Sequence, residues 1–140
     1  YLRNPHSFIQ QKIELLNKKN KSYKKNILIC SLLLSGNQGI KKLNKKFRKR
    51  NKSTDVLSFP FYERKELKNK IKMEKEEIYL GDIIINLSEI KNKNNKIKFE
   101  EELNKLWIHG LVHLFGYQHK KDNDFYAMRK IEKKYFKYIS

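Results

Sequence analysis

The chain has 140 residues, with 33 Lys and Arg against 15 Asp and Glu, a formal charge of +18 and a mean hydropathy of −0.83. This length predicts one domain over 1–140, and the single cysteine excludes a disulfide scaffold. The longest apolar run, 27–34, is far shorter than the ~20 residues of a membrane-spanning helix, and no signal peptide is visible. We therefore expect a cytoplasmic protein that makes no use of a membrane.

The basic charge permits a nucleic-acid partner without establishing one. Of the 33 basic residues, 28 are Lys and 5 are Arg, and Asn and Ile are abundant, as in proteins of A+T-rich genomes. A solvated lysine surface that follows from codon usage and a basic surface selected for RNA both remain open.

The hydrophobic pattern predicts helices and strands that intermix without strict βαβ alternation, which indicates an α+β fold. In chain order we expect a helix over 7–20, a strand over 26–35, a helix over 36–48, a strand over 55–61, a mobile loop over 62–77, a strand over 79–86, a short helix over 87–92, and helices over 99–115 and 122–138. Pro60 suggests an edge strand or a strand end, and Gly81 suggests a bulge or a close backbone approach.

Three of the four histidines lie within the run HGLVHLFGYQH. His109 and His113 are four residues apart, so their imidazoles lie one turn apart on the same side of a helix. Gly116 can take the left-handed conformation that ends a helix, and the chain can then return His119 to the other two. Three neutral nitrogens with a fourth tetrahedral position open suit a catalytic Zn²⁺, one per chain.

The helix that carries these histidines is expected to be buried. In a chain that is 34% charged, residues 106–119 contain no Asp, Glu, Lys or Arg. Buried imidazoles must be satisfied by hydrogen bonds or by a metal, so a pair of hydrogen-bonded core histidines is the alternative to a metal site.

The spacing also matches the metzincin protease signature H-E-x-x-H-x-x-G-x-x-H. Gly110, however, stands at the place of the catalytic Glu. Without that general base, no group takes the proton from the water in the usual peptidase mechanism, so a zinc peptidase is the weaker alternative.

The histidine run resembles the core motif H-G-x-x-H-L-x-G-Y-D-H of the YbeY family of bacterial metal-dependent endoribonucleases. Two further segments resemble the family's motifs in the right order, one over 43–60 with Leu43-Asn44, Phe47-Arg48 and STDVLSFP, and one over 80–83, LGDI. The resemblance is strongest over 43–119. It departs at Gln118, which replaces the family's Asp and cannot take a proton at neutral pH.

The resemblance implies a zincin-like domain in which a small mixed sheet packs on a central histidine-bearing helix. It implies a single-strand-specific endoribonuclease in ribosomal RNA maturation, including the 16S 3′ end, and in ribosome quality control, with zinc-activated water attacking a phosphodiester. The implied partners are single-stranded rRNA or pre-rRNA and the small ribosomal subunit, for a monomeric protein. Because of Gln118, a non-catalytic RNA-binding ribosome-assembly factor remains an alternative.

The resemblance also makes Arg48 the family's catalytic arginine, which would hold the scissile phosphate. A planar guanidinium suits that task, and capping of the helix C terminus is the alternative. Lys45 and Lys49 could follow an RNA backbone, and Tyr117 could stack on a base, although a solvated helix face and a packing role explain them as well. Structural or surface positions are expected for His6, Cys30, Asp55 and Asp82.

Overall fold

Three strands and four long helices make up the part of the chain that the structure describes. This computed structural model describes residues 14, 27–73, 77–91, 93–118 and 122–139. Apart from Glu14, which is helical, the predicted helix over 7–20 lies outside these residues. The elements are β1 (Ile27–Ser35), α1 (Asn37–Arg48), β2 (Val56–Pro60), α2 (Arg64–Met73), β3 (Glu77–Asn86), a 3₁₀ turn (Leu87–Glu89), α3 (Lys96–Leu114) and α4 (Asp122–Ile139).

The strands form one mixed sheet in the order β1-β3-β2. The central strand β3 pairs parallel with β1 and antiparallel with β2. Strand β2 lies at an edge of the sheet and ends at Pro60. Proline suits this position, because it lacks the N–H that an inner strand must donate. The mixed sheet and its helices confirm the predicted α+β class.

Gly81 produces the predicted irregularity in β3. The register of β3 against β1 shifts between Ile29 and Cys30, and Gly81 has a φ of 136°. A Cβ at this position would overlap the backbone carbonyl oxygen of Phe59 on β2. Both the backbone conformation and the close approach of β2 therefore require glycine.

Hydrophobic side chains cover both faces of the sheet. Successive residues of a strand point to opposite faces, so Ile83 and Ile85 lie on one side of β3 and Ile84 on the other. Ile83 and Ile85 belong to the main core, to which α3 and α4 contribute. Ile84 packs with Ile40 of α1 and Leu57 of β2 in a smaller cluster.

Helix α3 runs through the main core and carries the histidine pair. Its N terminus is capped by Asn95, whose side-chain oxygen accepts a hydrogen bond from the backbone N–H of Lys98 at 3.2 Å. Trp107 is fully buried, and its indole N–H donates to Asn104 at 3.0 Å. The predicted burial of this helix is confirmed. Across the described residues, no helix, α3 included, is both long and apolar enough to cross a membrane.

The charged stretch that follows β2 is more ordered than predicted. Residues Arg64–Met73 form helix α2, so the prediction of a mobile loop is wrong over this part. Leu67 is only 3% exposed, and Ile71, one turn further on, packs against the same core. Two apolar side chains at helical spacing are enough to dock a helix whose other faces are charged.

Candidate active site

His109 and His113 line one cleft beside α3. Their Nε2 atoms are 3.2 Å apart. The Nδ1 atom of His109 lies 2.7 Å from Oε1 of Glu132 on α4, and Nδ1 of His113 lies 2.8 Å from the backbone carbonyl oxygen of Tyr117. Both Nδ1 atoms thus face acceptors, and the two Nε2 atoms face each other.

These hydrogen bonds determine the tautomers of the two rings. A carboxylate and a carbonyl can only accept, so each Nδ1 carries a proton, and the Nε2 atom of each ring is the one available to a ligand. Nitrogen ligands ~2.0–2.1 Å from a tetrahedral Zn²⁺ are roughly 3.3 Å apart, which is close to the observed 3.2 Å. The pair therefore fits a metal ion, and Glu132 and the Tyr117 carbonyl are the partners that orient its rings.

The third predicted ligand, His119, lies outside the described residues. Within the described ranges, no three His, Cys, Asp or Glu side chains form a group that could hold a metal. The turn that precedes His119 is described: α3 ends at Leu114, and Gly116 has a φ of 95°. The left-handed helix end predicted at Gly116 is confirmed, and a Cβ there would overlap the side chain of Arg64.

Gly110 packs α3 directly onto the sheet. A Cβ at this position would lie 2.7 Å from Cγ2 of Ile83 and 3.1 Å from Oγ of Ser58. The Glu of the protease signature would therefore separate the helix from the strands. The peptidase alternative lacks its general base, and the packing at this position cannot accommodate one.

Arg48 lines the same cleft from the end of α1. Its Nη2 donates to the backbone carbonyl of Ser58, and its guanidinium carbon lies 5.5 Å from the ring centroid of Phe59. The Ser58 hydroxyl donates in turn to the carbonyl oxygen of Gly110 at 2.9 Å. This chain of hydrogen bonds connects the guanidinium to the turn of α3 that carries the histidines.

The cleft has a volume of about 750 Å³ and a basic wall. Arg50 and Lys52 line it together with Arg48. Lys45 and Lys49, the two lysines predicted to contact RNA, are exposed and do not line it. The cations of the cleft wall thus come from the last residue of α1 and from the loop that follows it.

Tyr117 and Gln118 also line the cleft. The guanidinium carbon of Arg64 lies 4.4 Å from the centroid of the Tyr117 ring, so an arginine covers one face of this aromatic side chain. The Tyr117 carbonyl is the group that orients His113, which couples the position of this loop to the histidine pair.

Three residues that the sequence did not single out position this site. Glu132 orients His109, Ser58 holds Arg48, and Asn44, only 3% exposed, donates its amide to the carbonyl oxygen of Lys52 at 2.9 Å. Asn44 and Ser58 stand within the motif segment over 43–60, whereas no local pattern marks Glu132. All three act through these contacts beyond their own helix or strand, of which the one between Glu132 and His109 spans the most sequence.

The remaining polar candidates have structural partners. Asp55 accepts a hydrogen bond from the backbone N–H of Val56 at 2.8 Å, and Asp82 accepts one from the Tyr79 hydroxyl. Burial, and then the hydrogen bond to Asp82, raises the pKa of Tyr79 above its ordinary value. Burial, with a smaller contribution from the Asp82 charge, raises the pKa of the Cys30 thiol to about 11. Asp55 and Asp82 thus have the structural hydrogen bonds predicted for them, whereas Cys30 is only partly buried.

The fold and the site together define an α+β protein in which a histidine pair suited to a metal and an arginine share one cleft. The model of the YbeY family, described as Endoribonuclease YbeY, matches residues 3–140. The chain belongs to this family, which confirms the resemblance noted in its motifs. Membership also confirms the predicted enzyme class, an RNA-cleaving hydrolase.

Individual relatives agree with this assignment. The Endoribonuclease YbeY of Pelagibacter ubique (strain HTCC1062) is 42% identical over 136 residues, covering 95% of this chain and 83% of that protein. The Endoribonuclease YbeY of Thermodesulfovibrio yellowstonii is 35% identical over 127 residues, covering 89% and 72%. The solution structure of TM1509 from Thermotoga maritima is similar with a TM-score of 0.60 at 28% identity, covering 97% of this chain and 83% of that one.

Proposed function

We propose that the protein is a metal-dependent endoribonuclease that cuts single-stranded ribosomal RNA or its precursor. The observation that carries this proposal is the opposed Nε2 pair, 3.2 Å apart, in the same cleft as Arg48. Membership of the YbeY family supports RNA as the substrate class. The maturation steps are those that the motifs imply, at the 16S 3′ end and in ribosome quality control.

His109, His113 and His119 would hold one Zn²⁺ per chain. When bound, the ion supplies a water whose pKa is lowered to ~7. Glu132 and the Tyr117 carbonyl keep a proton on each Nδ1, which directs both Nε2 atoms toward the same point. These two partners also fix the rings, so the histidines need little reorganisation to bind.

Arg48 would hold the scissile phosphate beside the histidine pair. A guanidinium has five N–H donors, and the Ser58 carbonyl engages Nη2, so others can reach a phosphate. Its charge offsets the negative charge that develops on the phosphate oxygens during cleavage. Arg50 and Lys52 on the same wall would contact neighbouring phosphates.

Two further residues of the cleft bear on the substrate. Tyr117, covered on one face by Arg64, offers an aromatic surface for stacking with a base. Gln118 can position a polar group by hydrogen bonding, although it does not take up a proton. If the substrate is ribosomal RNA, the small ribosomal subunit is the expected partner and the cytoplasm the expected compartment. We also propose that the protein acts as a single-domain monomer.

The test is cleavage of a labelled single-stranded RNA by the zinc-loaded protein, with His113→Ala and Arg48→Lys purified in parallel. We expect His113→Ala to lose both zinc and cleavage while its circular dichroism stays that of the wild type. Arg48→Lys should keep its zinc and lose about 10²–10³ in kcat, the usual cost of one donor to a developing negative charge.

Each contrary result has a definite meaning. Wild-type cleavage by metal-free His113→Ala would refute the proposal. RNA binding without cleavage by the zinc-loaded wild type would favour a ribosome-assembly factor. Zinc-dependent digestion of an unstructured protein would favour a peptidase.

A further inference from the structure

A second groove opens between α3 and α4, on the other side of His109 from the cleft. It has a volume of about 700 Å³, and both His109 and Asp55 line the cleft as well as this groove. We call it the α3/α4 groove. Its lining combines apolar side chains with four cations: Leu106, Ile108 and Phe136, with Lys105, Arg129, Lys133 and Lys137.

The acidic side chains of the α3/α4 groove are already engaged. Glu132 bonds His109 at 2.7 Å, and Asp55 accepts the backbone N–H of Val56 at 2.8 Å. Among the residues that the structure describes, none of the three groove lysines forms an ion pair. The groove therefore presents four cations against two carboxylates that already have partners, which favours a polyanion.

The arginines of the chain mark the same region. An A+T-rich genome favours lysine codons whatever the function, so an arginine in a chain with 28 lysines and 5 arginines carries more information about function than a lysine does. Four of the five arginines lie within the described residues; three of them line the cleft or the groove, and the fourth packs on a residue of the cleft. Arg48 and Arg50 line the cleft, Arg64 covers Tyr117, and Arg129 lines the α3/α4 groove.

From these observations we infer that the α3/α4 groove binds single-stranded RNA on one side of the cut, so that the strand passes His109 from the cleft into the groove. This inference rests on the proposed function, and it specifies the path that the RNA strand takes across the protein. Lys133 and Lys137 are one helical turn, roughly 6 Å, apart on α4, and each can contact one phosphate. Phe136 lies between them in sequence and offers a surface for a base.

Two double variants on α4 test the inference, one inside the groove and one outside it. Lys133→Ala/Lys137→Ala removes two groove cations, and Lys130→Ala/Lys134→Ala removes two lysines of the same helix that do not line the groove. All four lysines are exposed, so neither pair endangers folding. The measurement is the salt dependence of kcat/KM for RNA cleavage by the zinc-loaded full chain.

We call Lys133→Ala/Lys137→Ala the groove pair and Lys130→Ala/Lys134→Ala the control pair. We expect the groove pair to raise KM several-fold. It should also reduce the slope of log kcat/KM against log salt concentration by roughly 1.4, because each lost contact with a single strand removes ~0.7. Its kcat should stay that of the wild type, because the scissile phosphate is held in the cleft. The control pair should match the wild type in KM and slope.

A second arm uses two short RNAs, each with one cleavable linkage close to one end. One carries its remaining nucleotides on the 5′ side of the cut and the other carries them on the 3′ side. The groove pair should be impaired on one of them and match the wild type on the other. Equal impairment on both RNAs, or equal effects of the two lysine pairs, would overturn the groove assignment.

The two levels of inference fail in different ways. If the wild type cleaves RNA and the groove pair cleaves it equally well, only the assignment of the groove is overturned. If the zinc-loaded wild type neither binds nor cleaves RNA, the proposed function fails and the groove assignment fails with it.

Discussion

Replacement of Gly110 by alanine tests how closely α3 packs on the sheet. The new Cβ would lie 2.7 Å from Cγ2 of Ile83, 3.1 Å from Oγ of Ser58 and 3.3 Å from Cγ2 of Val56. All three neighbours belong to β2 or β3, so the helix and the strands must move apart. Overpacking of this kind costs ~1–3 kcal/mol, and alanine regains ~1 kcal/mol through its helix propensity. We expect the free energy of unfolding to fall by up to about 2 kcal/mol.

Gly39→Ala is the matched control for this substitution. Gly39 also lies in a helix, but its new Cβ would meet only the side chain of Ser35, whose hydroxyl can rotate away. This variant should gain up to ~1 kcal/mol. Urea denaturation of both variants measures the difference, and a Gly110→Ala protein at least as stable as the wild type would refute the packing argument.

The same pair of variants reports on the site. The Gly110 carbonyl accepts the Ser58 hydroxyl, and the Ser58 carbonyl accepts Arg48, so a shift of α3 moves the histidine pair relative to the guanidinium. Gly110→Ala should therefore lower kcat for RNA cleavage at unchanged zinc content. Gly39→Ala should leave kcat at the wild-type value.

Two other predictions concern single side chains. Glu132→Gln replaces the carboxylate that orients His109 with a neutral acceptor, so the affinity for zinc should fall 10–100-fold. Competition with a chromophoric chelator measures this affinity, and an unchanged value would exclude the positioning role of Glu132. Cys30, with a thiol pKa of about 11, should be alkylated by iodoacetamide at pH 8 at least 100-fold more slowly than an ordinary cysteine, because only ~0.1% of it is thiolate. Rapid alkylation of the folded protein would contradict this burial, and the urea-unfolded protein is the control. Because the folded state holds the thiol proton more tightly, this group also lowers the free energy of unfolding as pH rises from 9.0 to about 11.

The regular elements could be predicted where their signal is local. The strand predicted over 26–35 is observed as Ile27–Ser35, and the helix predicted over 36–48 as Asn37–Arg48. Helix α3 begins three residues before its predicted start, because Asn95 caps a first turn that lacks an apolar periodicity. Helix α2 was not predicted, because its only apolar signal is Leu67 and Ile71, and these two residues stabilise a helix only by packing against the core.

The candidate site could be predicted only in part, for the same reason. The four-residue spacing of His109 and His113 is visible in the sequence, and their Nε2 atoms meet as that spacing implies. Glu132 lies 23 residues further along the chain, on another helix, and it reaches His109 only because α3 and α4 pack together. A contact of this kind is a property of the tertiary structure and leaves no local pattern.

The position of β2 at the edge of the sheet has a consequence for what can bind beside it. The backbone N–H of Asn86 donates to the Asp55 carbonyl, and that of Phe61 donates to the Leu80 carbonyl. Odd-numbered residues of this segment therefore direct their backbone groups toward β3, and the even-numbered residues direct theirs outward.

Three of these outward groups already have a partner or are missing. The N–H of Val56 is bonded by the Asp55 carboxylate, the carbonyl of Ser58 accepts Arg48, and Pro60 has no N–H. An extended polypeptide that approached this edge would form fewer hydrogen bonds than a fully open strand offers, which protects the sheet against edge-to-edge aggregation. The same arrangement disfavours a protein substrate that binds by adding a strand to the sheet. A nucleic acid does not bind in this way, because its sugar-phosphate backbone forms no β-ladder.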